Sequence, residues 1–217
     1  MRNVMRKELT LSASPLAYLF IPLALLFLVP GYPVLCGAFF VTLGLFQSFQ
    51  AAREANDIVF SALLPIAKKD VVKGKYLFAC LIEGCALVLM ALSVIVRMTA
   101  LKSVPAYLNN ALMNANPFAL AAAFFLFGLF NLVFVGGFFR TVYKLGRPFV
   151  TYSVLAFVSV GVFEALHHVP GLESLNAFET DRAGLQTALL ASGAAAFDLL
   201  PLAGYSKACR DFEKIDL

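Results

Sequence analysis

Charge is scarce in this sequence. Only 14% of its 217 residues are charged and 61% are apolar, against about 25% and about 45–50% in soluble domains. A chain with so little charge cannot cover its surface with groups that water solvates, so lipid must solvate it. The polar segments between the apolar stretches are too short to form a second core. We therefore expect a single membrane-embedded domain over residues 1–217.

Motifs of catalysis and metal binding are also missing. There is no G-x-x-x-x-G-K-[ST] nucleotide loop, because Gly74-Lys75 is followed by Tyr76 and lacks the upstream glycine. There is no C-x-x-C or H-E-x-x-H, and the two histidines, His167 and His168, are adjacent, a spacing that cannot place two imidazoles on one helical face. We expect no catalytic residue, metal site or cofactor in this chain. The basic residues cluster at the ends of apolar stretches, which suits lipid headgroups rather than nucleic acid.

The sequence contains six apolar segments, and most of them are close to the ~20 residues that a helix needs to cross about 30 Å of hydrocarbon. Their length and their lack of alternation exclude membrane strands. The sequence predicts an all-α polytopic membrane protein with six transmembrane helices, the first two forming a hairpin: Leu16 to Gly31, Val34 to Ala52, Tyr76 to Val96, Phe118 to Phe139, Pro148 to Leu166 and Gly184 to Tyr205.

The distribution of Lys and Arg predicts the orientation. Of the 17 such residues, 14 fall on the side of both predicted termini, and the other three are Arg97, Lys102 and Arg182. Since cytoplasmic loops carry the excess of positive charge, both termini should be cytoplasmic, including a tail at residues 206–217.

The N-terminal residues 2–13 have an amphipathic pattern. An apolar stripe lies opposite three basic residues, so this segment is predicted to be an interfacial helix on the cytoplasmic surface. A frayed polar tail is the alternative. The stripe is Val4, Met5, Leu9 and Ala13, and the basic residues are Arg2, Arg6 and Lys7.

Two carboxylates lie well inside predicted spans, where a charge costs about 2.5–3.5 kcal/mol at the bilayer centre. Glu83 and Asp198 are therefore candidates for the translocation pathway, with a structural hydrogen-bonding role as the alternative. A face of small residues beside Asp198 predicts that this acid turns into the bundle or a cavity. That face comprises Gly184, Ala188, Ala191, Ala195 and Leu202.

The fourth span is rich in phenylalanine from Phe118 to Phe139. Such a density on all faces is typical of lipid-facing and interhelical packing. A cavity for apolar or amphipathic cargo is the alternative.

The longest predicted cytoplasmic loop runs from Arg53 to Lys75. Its apolar residues are too few to span a membrane and too many for a free linker, so a short helix that docks on a protein partner is predicted. Its apolar anchors would be Ile58, Phe60 and Leu63, with Lys68 and Lys69 steering the partner. An interfacial helix lying on lipid is the alternative. The full predicted set is Arg53, Glu54, Asp57, Ile58, Phe60, Leu63, Leu64, Pro65, Lys68, Lys69 and Asp70.

Several short motifs resemble a family of small bacterial permease subunits of type-2 ABC exporters, in particular those that export phenol-soluble modulins and related antimicrobial peptides. The resemblance covers nearly the whole chain. The motifs are M-R-N-V-M-R-K-E-L at Met1 to Leu9, R-E-x-x-D at Arg53 to Asp57, L-L-P-x-x-K-K-D-x-x-K at Leu63 to Lys73, and F-E-K-I-D-L at Phe212 to Leu217.

This resemblance implies the membrane half of an ATP-driven exporter in the bacterial plasma membrane. Two permeases, identical or related, would pair with two copies of a separate ATPase subunit that binds ATP and Mg. Residues 53–75 would contain the coupling helix that docks on the ATPase, and residues 2–13 would form the elbow helix. The cargo would be an amphipathic peptide, a drug or a lipid-like molecule.

Two other classes of function compete with this interpretation. A proton-coupled secondary transporter would use Glu83 and Asp198 as carriers, but the spans lack the repeated Gly/Pro-broken pair that favours it. A membrane-embedded enzyme or assembly factor would need a nucleophile–base or metal set, which the sequence lacks.

Overall fold

The computed structural model describes residues 2–177 and 182–215, with the backbone alone for Arg2, Asn3 and Ala62. Met1 at the start of the first resembling motif, and Asp216 and Leu217 of the predicted tail, lie outside these ranges. Every regular element within them is a helix, so the all-α part of the predicted fold class is confirmed.

Long apolar helices in the described residues meet the length and hydropathy expected of membrane spans. Four helices qualify, and a bent pair, Val4–Ser12 with Pro15–Leu28, would make a fifth span if counted as one. The two helices of that pair meet at 90°. This measure thus identifies four or five of the six predicted spans. The four are Lys68–Met98, Pro117–Phe138, Gly146–Leu166 and Ala183–Glu213.

The N-terminal segment begins with α1, Arg2–Lys7, which continues as a π-helical turn, Glu8–Ser12. After Ser14, whose hydroxyl accepts a hydrogen bond from the Leu16 amide, the chain forms α2, Pro15–Leu19, and a 3₁₀ helix, Ile21–Leu28. Pro22 lacks the amide that a regular α-helix would use here. Because a 3₁₀ helix rises about 2.0 Å per residue, Pro15–Leu28 reaches roughly 24 Å, most of the hydrocarbon thickness.

Helix α3, Cys36–Glu54, runs back alongside this segment. A Cβ at Gly37 would lie 2.8 Å from the Leu23 carbonyl oxygen, and one at Gly44 would lie 2.9 Å from that of Leu16. The two backbones therefore pack closely, as the predicted hairpin requires. The polar residues in the second half of α3 explain why it is not among the four most apolar spans. They are Gln47, Gln50, Arg53 and Glu54.

The predicted loop Arg53–Lys75 is largely helical. Its first two residues end α3, and a short helix, α4 (Asp57–Ala62), follows Asn56, whose φ is 51°. Helix α5, Lys68–Met98, begins eight residues before the predicted third span. The sequence prediction was wrong on this boundary. Apolarity marks only the part of a helix that lies in lipid, and α5 begins about two polar turns before its apolar part.

The remaining elements surround a central span. Helix α6 is Pro105–Leu108, and α7, Pro117–Phe130, continues through a π-helical turn, Asn131–Val135, into α8, Gly136–Phe138. Helix α9 is Gly146–Leu166, a 3₁₀ turn occupies Glu173–Asn176, and α10 is Ala183–Glu213.

The α7–α8 span forms the core of the bundle. Of its apolar window 78% is buried, against 11% for α9 and 17% for α10. Its phenylalanines pack edge to face with those of α3, as Phe134 does with Phe46 and Phe49 at centroid distances of 5.6 and 5.2 Å. These rings therefore serve interhelical packing, which favours the first of the two interpretations of the Phe-rich span.

Both described termini lie at one end of the bundle, which we call the base. The Lys68 ammonium donates to the Ile215 carbonyl at 2.6 Å, which joins the start of α5 to the end of α10. The turn between α8 and α9 reaches the same end, because Val142 and Tyr143 line a small cleft with Arg53 and Ile58. The base therefore collects the N-terminal segment, α4, and the ends of α3, α5 and α10.

Candidate functional site

A buried ionic cluster lies at the base, between the N-terminal segment, α4 and α5. The Lys75 ammonium is 2.6 Å from a Glu8 carboxylate oxygen and 2.9 Å from one of Asp57. Lys7 lies 2.9 Å from Glu8 and 2.8 Å from Asp57. Two acids and two bases thus alternate in a closed set, which neutralises four charges that would be costly to bury singly.

Two hydroxyl groups and one aromatic ring complete this cluster. Ser12 donates to Asp57 at 3.0 Å, and Lys7 donates to Ser61 at 2.9 Å. Lys75 also lies 5.8 Å from the ring centre of Phe49 on α3, close enough for a cation–π interaction. The cluster therefore bonds α4 to the N-terminal segment and to a membrane span.

The charges of the cluster shift the pKa of two of its members. Burial alone would raise the pKa of the Asp57 carboxyl, but the ammonium groups of Lys75 and Lys7 outweigh it and hold this pKa below its usual value. Burial alone would lower the pKa of Lys7, and the carboxylates of Glu8 and Asp57 raise it instead. Both shifts favour the charged forms of Asp57 and Lys7.

Close packing fixes the N-terminal segment on α5. A Cβ at Gly74 would lie 2.6 Å from the Cγ1 of Val4, so only glycine permits this approach. The apolar face of residues 2–13 therefore packs on α5 in part. The predicted grouping of Lys7 with the outward-facing basic residues was wrong, because its side chain is only 13% exposed and points into the cluster.

The predicted docking residues separate into a buried and an exposed set. Ile58 is 4% exposed and Asp57 is in the ionic cluster, so neither side chain is available to a partner in this conformation. Phe60, Leu63 and Leu64 are 55%, 81% and 37% exposed. We call these three the apolar rim. A cleft of about 350 Å³ between α4 and the N-terminal segment adjoins it and is lined by Phe60 and Leu11.

The charged residues of the predicted coupling set have several local roles. Lys68 bonds the Ile215 carbonyl and lies 5.7 Å from the Phe212 ring centre, and Lys69 pairs with Glu213 at 3.4 Å. Both lysines thus fasten the C-terminal end of α10. Arg53 and Glu54 pair with each other at the exposed end of α3, Pro65 is exposed beside the rim, and Asp70 is half-buried in the first turn of α5.

Glu83 lies at the centre of the bundle and is fully buried. Its carboxylate accepts a hydrogen bond of 2.5 Å from the Asn131 side chain, at the start of the π-helical turn. The hydroxyl of Tyr76 donates to the Asn131 carbonyl at 3.1 Å. A Cβ at Gly204 would lie 2.7 Å from that hydroxyl, so α10 packs directly against Tyr76 and Asn131.

Asp198 occupies a different environment. It is exposed in a groove of about 640 Å³ between α5 and α10, with Lys73, Tyr76 and Cys80 among the lining residues. The structure does not bring Asp198 and Glu83 into one cavity, because Glu83 is not among the residues that line this groove.

The small-residue face that includes Asp198 is exposed along α10, so in the single chain this acid does not turn into the bundle and lines the groove, the second of the two predicted environments. Helix α10 instead packs through Gly193, where a Cβ would lie 2.6 Å from the Ala121 backbone, and through Gly204. Both faces of α10 contain small residues, and only the contacts with neighbouring helices distinguish them.

Sequence reasoning did not single out Glu8, Lys75 or Asn131. Lys75 is the last residue of the predicted loop Arg53 to Lys75, and Glu8 enters only as part of the motif Met1 to Leu9. A local signal exists for Asn131, since it is the one amide within the apolar run Phe118 to Phe139. For Glu8 and Lys75 the pairing depends on segments that are distant in sequence, so no local pattern reveals it.

Comparison with family models gives a match over most of the chain. The model described as ABC-2 family transporter protein matches residues 4–206, nearly the whole chain. Comparison with curated proteins and with solved structures found no match. Within the described residues, the match covers the ionic cluster, the apolar rim and the candidate spans as far as Ser206 in α10. This chain is therefore a multi-pass membrane protein of the ABC-2 transporter family.

Proposed function

We propose that this chain is the permease subunit of an ATP-driven exporter, which forms the translocation pathway and leaves ATP hydrolysis to a separate partner subunit. Membership of the ABC-2 family, whose membrane components generally pair with an ATPase, supports the proposal. The observation that carries it is the apolar rim on and after α4, exposed at the base and connected to α5 through the buried ionic cluster.

The geometry of the base supports a coupling role for this rim. Phe60 lies on α4, which begins at Asp57, and Asp57 is bonded to Lys75 in the second turn of a 31-residue helix. A partner that pulled on the rim would therefore act directly on α5. The apolar rim replaces the predicted anchor set, with Leu64 taking the place of the buried Ile58.

The finer topology is part of the same proposal. We propose six spans, a cytoplasmic base that includes both termini and the tail 206–217, and residues 2–13 as an elbow helix, all in a bacterial plasma membrane. The excess of Lys and Arg at the base supports this orientation. The roughly 24 Å reach of Pro15–Leu28 supports a first span, and the antiparallel α3 supports a second.

The assembly we propose contains two ATPase copies, which bind ATP and Mg, and a second permease, identical or related. The exposure of the small-residue face of α10 supports a second permease, because small residues allow close approach of helices in membranes. The groove with Asp198 between apolar walls supports an amphipathic cargo, whether a peptide, a drug or a lipid-like molecule. The closer likeness to peptide exporters stays a prediction.

The test is a double substitution on the rim, Phe60→Asp with Leu63→Asp. Docking would bury two new carboxylates in an apolar groove at a cost of several kcal/mol, so we expect the ATPase to be lost on co-purification and export to fall to background. The membrane level of the variant should not change, since neither residue lies in a span. Membrane level, ATPase retention and export are measured together.

A matched control places the same two charges at the opposite end of the bundle. Leu108 and Val169 are 62% and 45% exposed there, so Leu108→Asp with Val169→Asp should retain the ATPase. If the rim variant kept its ATPase and exported normally, the rim would lie on lipid and the coupling role would be rejected. Equal loss of the ATPase in the rim variant and the control variant would also reject the coupling role, because two added charges would then have the same effect at either end of the bundle.

A further inference from the structure

A basic pocket lies at the base, and none of its lining residues lines the groove with Asp198. It has a volume of about 390 Å³ and is formed where α8 ends and α9 begins. Three cations, Arg140, Lys144 and Arg147, line it, and the residues described as its lining include no carboxylate. The apolar part of its lining comprises Val133, Gly137 and Pro148.

The turn between α8 and α9 brings these cations together. Val142 adopts a φ of 65°, a left-handed conformation that a valine rarely takes, and its side chain is buried. The Thr141 hydroxyl accepts a hydrogen bond from the Lys144 amide at 3.2 Å and so closes the turn. A Cβ at Gly137 would lie 2.7 Å from the Cβ of Pro148, so the two helices meet closely beneath the pocket.

The charge of this pocket is not balanced within the described part of the chain. None of its three cations forms an ion pair there, although Lys7, Lys69 and Lys75 at the same end all do. The first turn of α9 contains no acid and contributes the positive end of a helix dipole. Three cations and a helix N-terminus therefore converge on a space that an anion would fill.

We propose that this pocket binds the phosphate headgroup of an anionic phospholipid of the cytoplasmic leaflet. The pocket lies between two membrane spans at the level where they leave the apolar core, and its floor is apolar, so an acyl chain can follow Val133 while the phosphate meets the cations. Tyr143, 48% exposed in the same turn, has the amphipathic ring that prefers the headgroup layer. Basic pockets between helices on the cytoplasmic side commonly hold such headgroups.

The proposal rests on the proposed function only for the cytoplasmic orientation of the base, and it can be tested without the ATPase. The purified full-length chain is equilibrated with vesicles of phosphatidylcholine containing phosphatidylglycerol, and the phosphatidylglycerol retained after delipidation is counted by native mass spectrometry. The variant combines Arg140→Gln, Lys144→Gln and Arg147→Gln. We expect this variant to retain about one tenth of the phosphatidylglycerol that the native chain retains, or even less, because each cation near a headgroup contributes to the attraction.

A charge-matched control removes three exposed cations from the end of α10 instead, through Lys207→Gln, Arg210→Gln and Lys214→Gln. This control and a charge-retaining variant, Arg140→Lys with Arg147→Lys, should keep most of the bound lipid. Inorganic phosphate should not displace it, because free phosphate gains nothing from the apolar floor. If the triple-Gln pocket variant proves unstable, Arg140→Gln and Arg147→Gln are made singly and compared with Lys207→Gln, and each pocket variant should retain less lipid than the α10 variant.

Three outcomes would overturn the proposal. Retention by the pocket variant equal to that of the native chain would remove the site, and equal losses in the pocket variant and the α10 control would reduce the effect to net charge. Unchanged lipid retention with loss of the co-purifying ATPase would assign the pocket to the partner protein instead. Failure of export alone, with lipid retention as expected, would count against the exporter function and leave the lipid site standing.

Discussion

Asp57 and Glu83 are both buried carboxylates, but different groups surround them. Asp57 lies at the base between Lys7 and Lys75, which also bind Glu8 and which belong to two distant segments of the chain. Glu83 lies in the core, and the side-chain partner recorded for it is the Asn131 amide. The base thus uses paired charges to join separate segments, while the core uses one amide to join two adjacent spans.

This difference has a mechanical consequence. An ion cluster shared by the N-terminal segment, α4 and α5 transmits displacement, because moving any one of them separates opposite charges. The Glu83–Asn131 bond lies beside Gly204 of α10 and the Phe-rich core, where close packing resists movement. We therefore expect the cluster to matter for coupling and Glu83 to matter for the stability of the core.

The largest expected effect comes from Lys75→Met. Removal of this buried ammonium leaves Glu8 and Asp57 with Lys7 alone, and breaking a buried ion pair in this way typically costs about 3–5 kcal/mol. The melting temperature in detergent should fall markedly, and ATPase-driven export should be lost. Lys73→Met on the same helix is the matched control for stability, because Lys73 is exposed and its loss should leave the melting temperature unchanged. Equal melting temperatures for both variants would show that the cluster does not stabilise the base.

The core acid provides the next largest effect. Glu83→Leu leaves a buried amide without one of its acceptors, at a cost of about 1–3 kcal/mol. Glu83→Gln keeps an acceptor for the Asn131 side-chain amide and adds a donor for the side-chain oxygen of Asn131, Oδ1, which otherwise has no hydrogen-bond partner within the described residues. We expect the Gln variant to melt near the native temperature and to export normally. Loss of export by a stable Gln variant that still binds the ATPase would instead favour a proton-coupled transporter.

The sequence was sufficient for the class of the fold because apolar length is a property of each segment alone. The four longest apolar helices, the hairpin of Pro15–Leu28 with α3, and the short helix within 53–75 all correspond to predicted elements. Helix ends were less well predicted, since α5 continues beyond its apolar part.

Contacts between segments could not be predicted in the same way. Whether Ile58 or Leu64 is exposed depends on how the chain turns at Asn56, just before α4. The direction in which the Asp198 face points depends on which side of α10 packs against α7. Both follow from packing between elements, which a single sequence with small residues on both faces of a helix does not reveal. The Glu8–Lys75 pair joins positions 67 residues apart and is of the same kind.

Acid sensitivity offers a smaller effect on the ionic cluster. Since the pKa of Asp57 is lowered on folding, its contribution is present above its ordinary pKa of about 3.9 and is lost as pH falls through the lowered folded value. Asp57→Asn should therefore reduce stability at neutral pH and flatten the decline in melting temperature below about pH 4. Asp211→Asn, a carboxylate outside the cluster, is the control. A decline at low pH that is as steep in Asp57→Asn as in the native chain would show that Asp57 does not contribute to it.

The smallest expected effect on stability comes from Asp198→Leu, and it separates the exposed acid from the two buried ones. Asp198 lies in the groove between α5 and α10 with its side chain exposed, so its replacement breaks none of the recorded hydrogen bonds or ion pairs and should change the melting temperature little. Export should nevertheless change, because a carboxylate held among apolar walls at the depth of a membrane span is costly unless cargo or a second permease meets it. Melting temperature, ATPase retention and export are measured on the same preparation, with Leu199→Ala, a neighbouring exposed apolar residue, as the control. Normal export by Asp198→Leu at native expression would remove the groove from the translocation pathway. A fall in dimer content with export per dimer unchanged would assign Asp198 and the small-residue face to the contact between permeases.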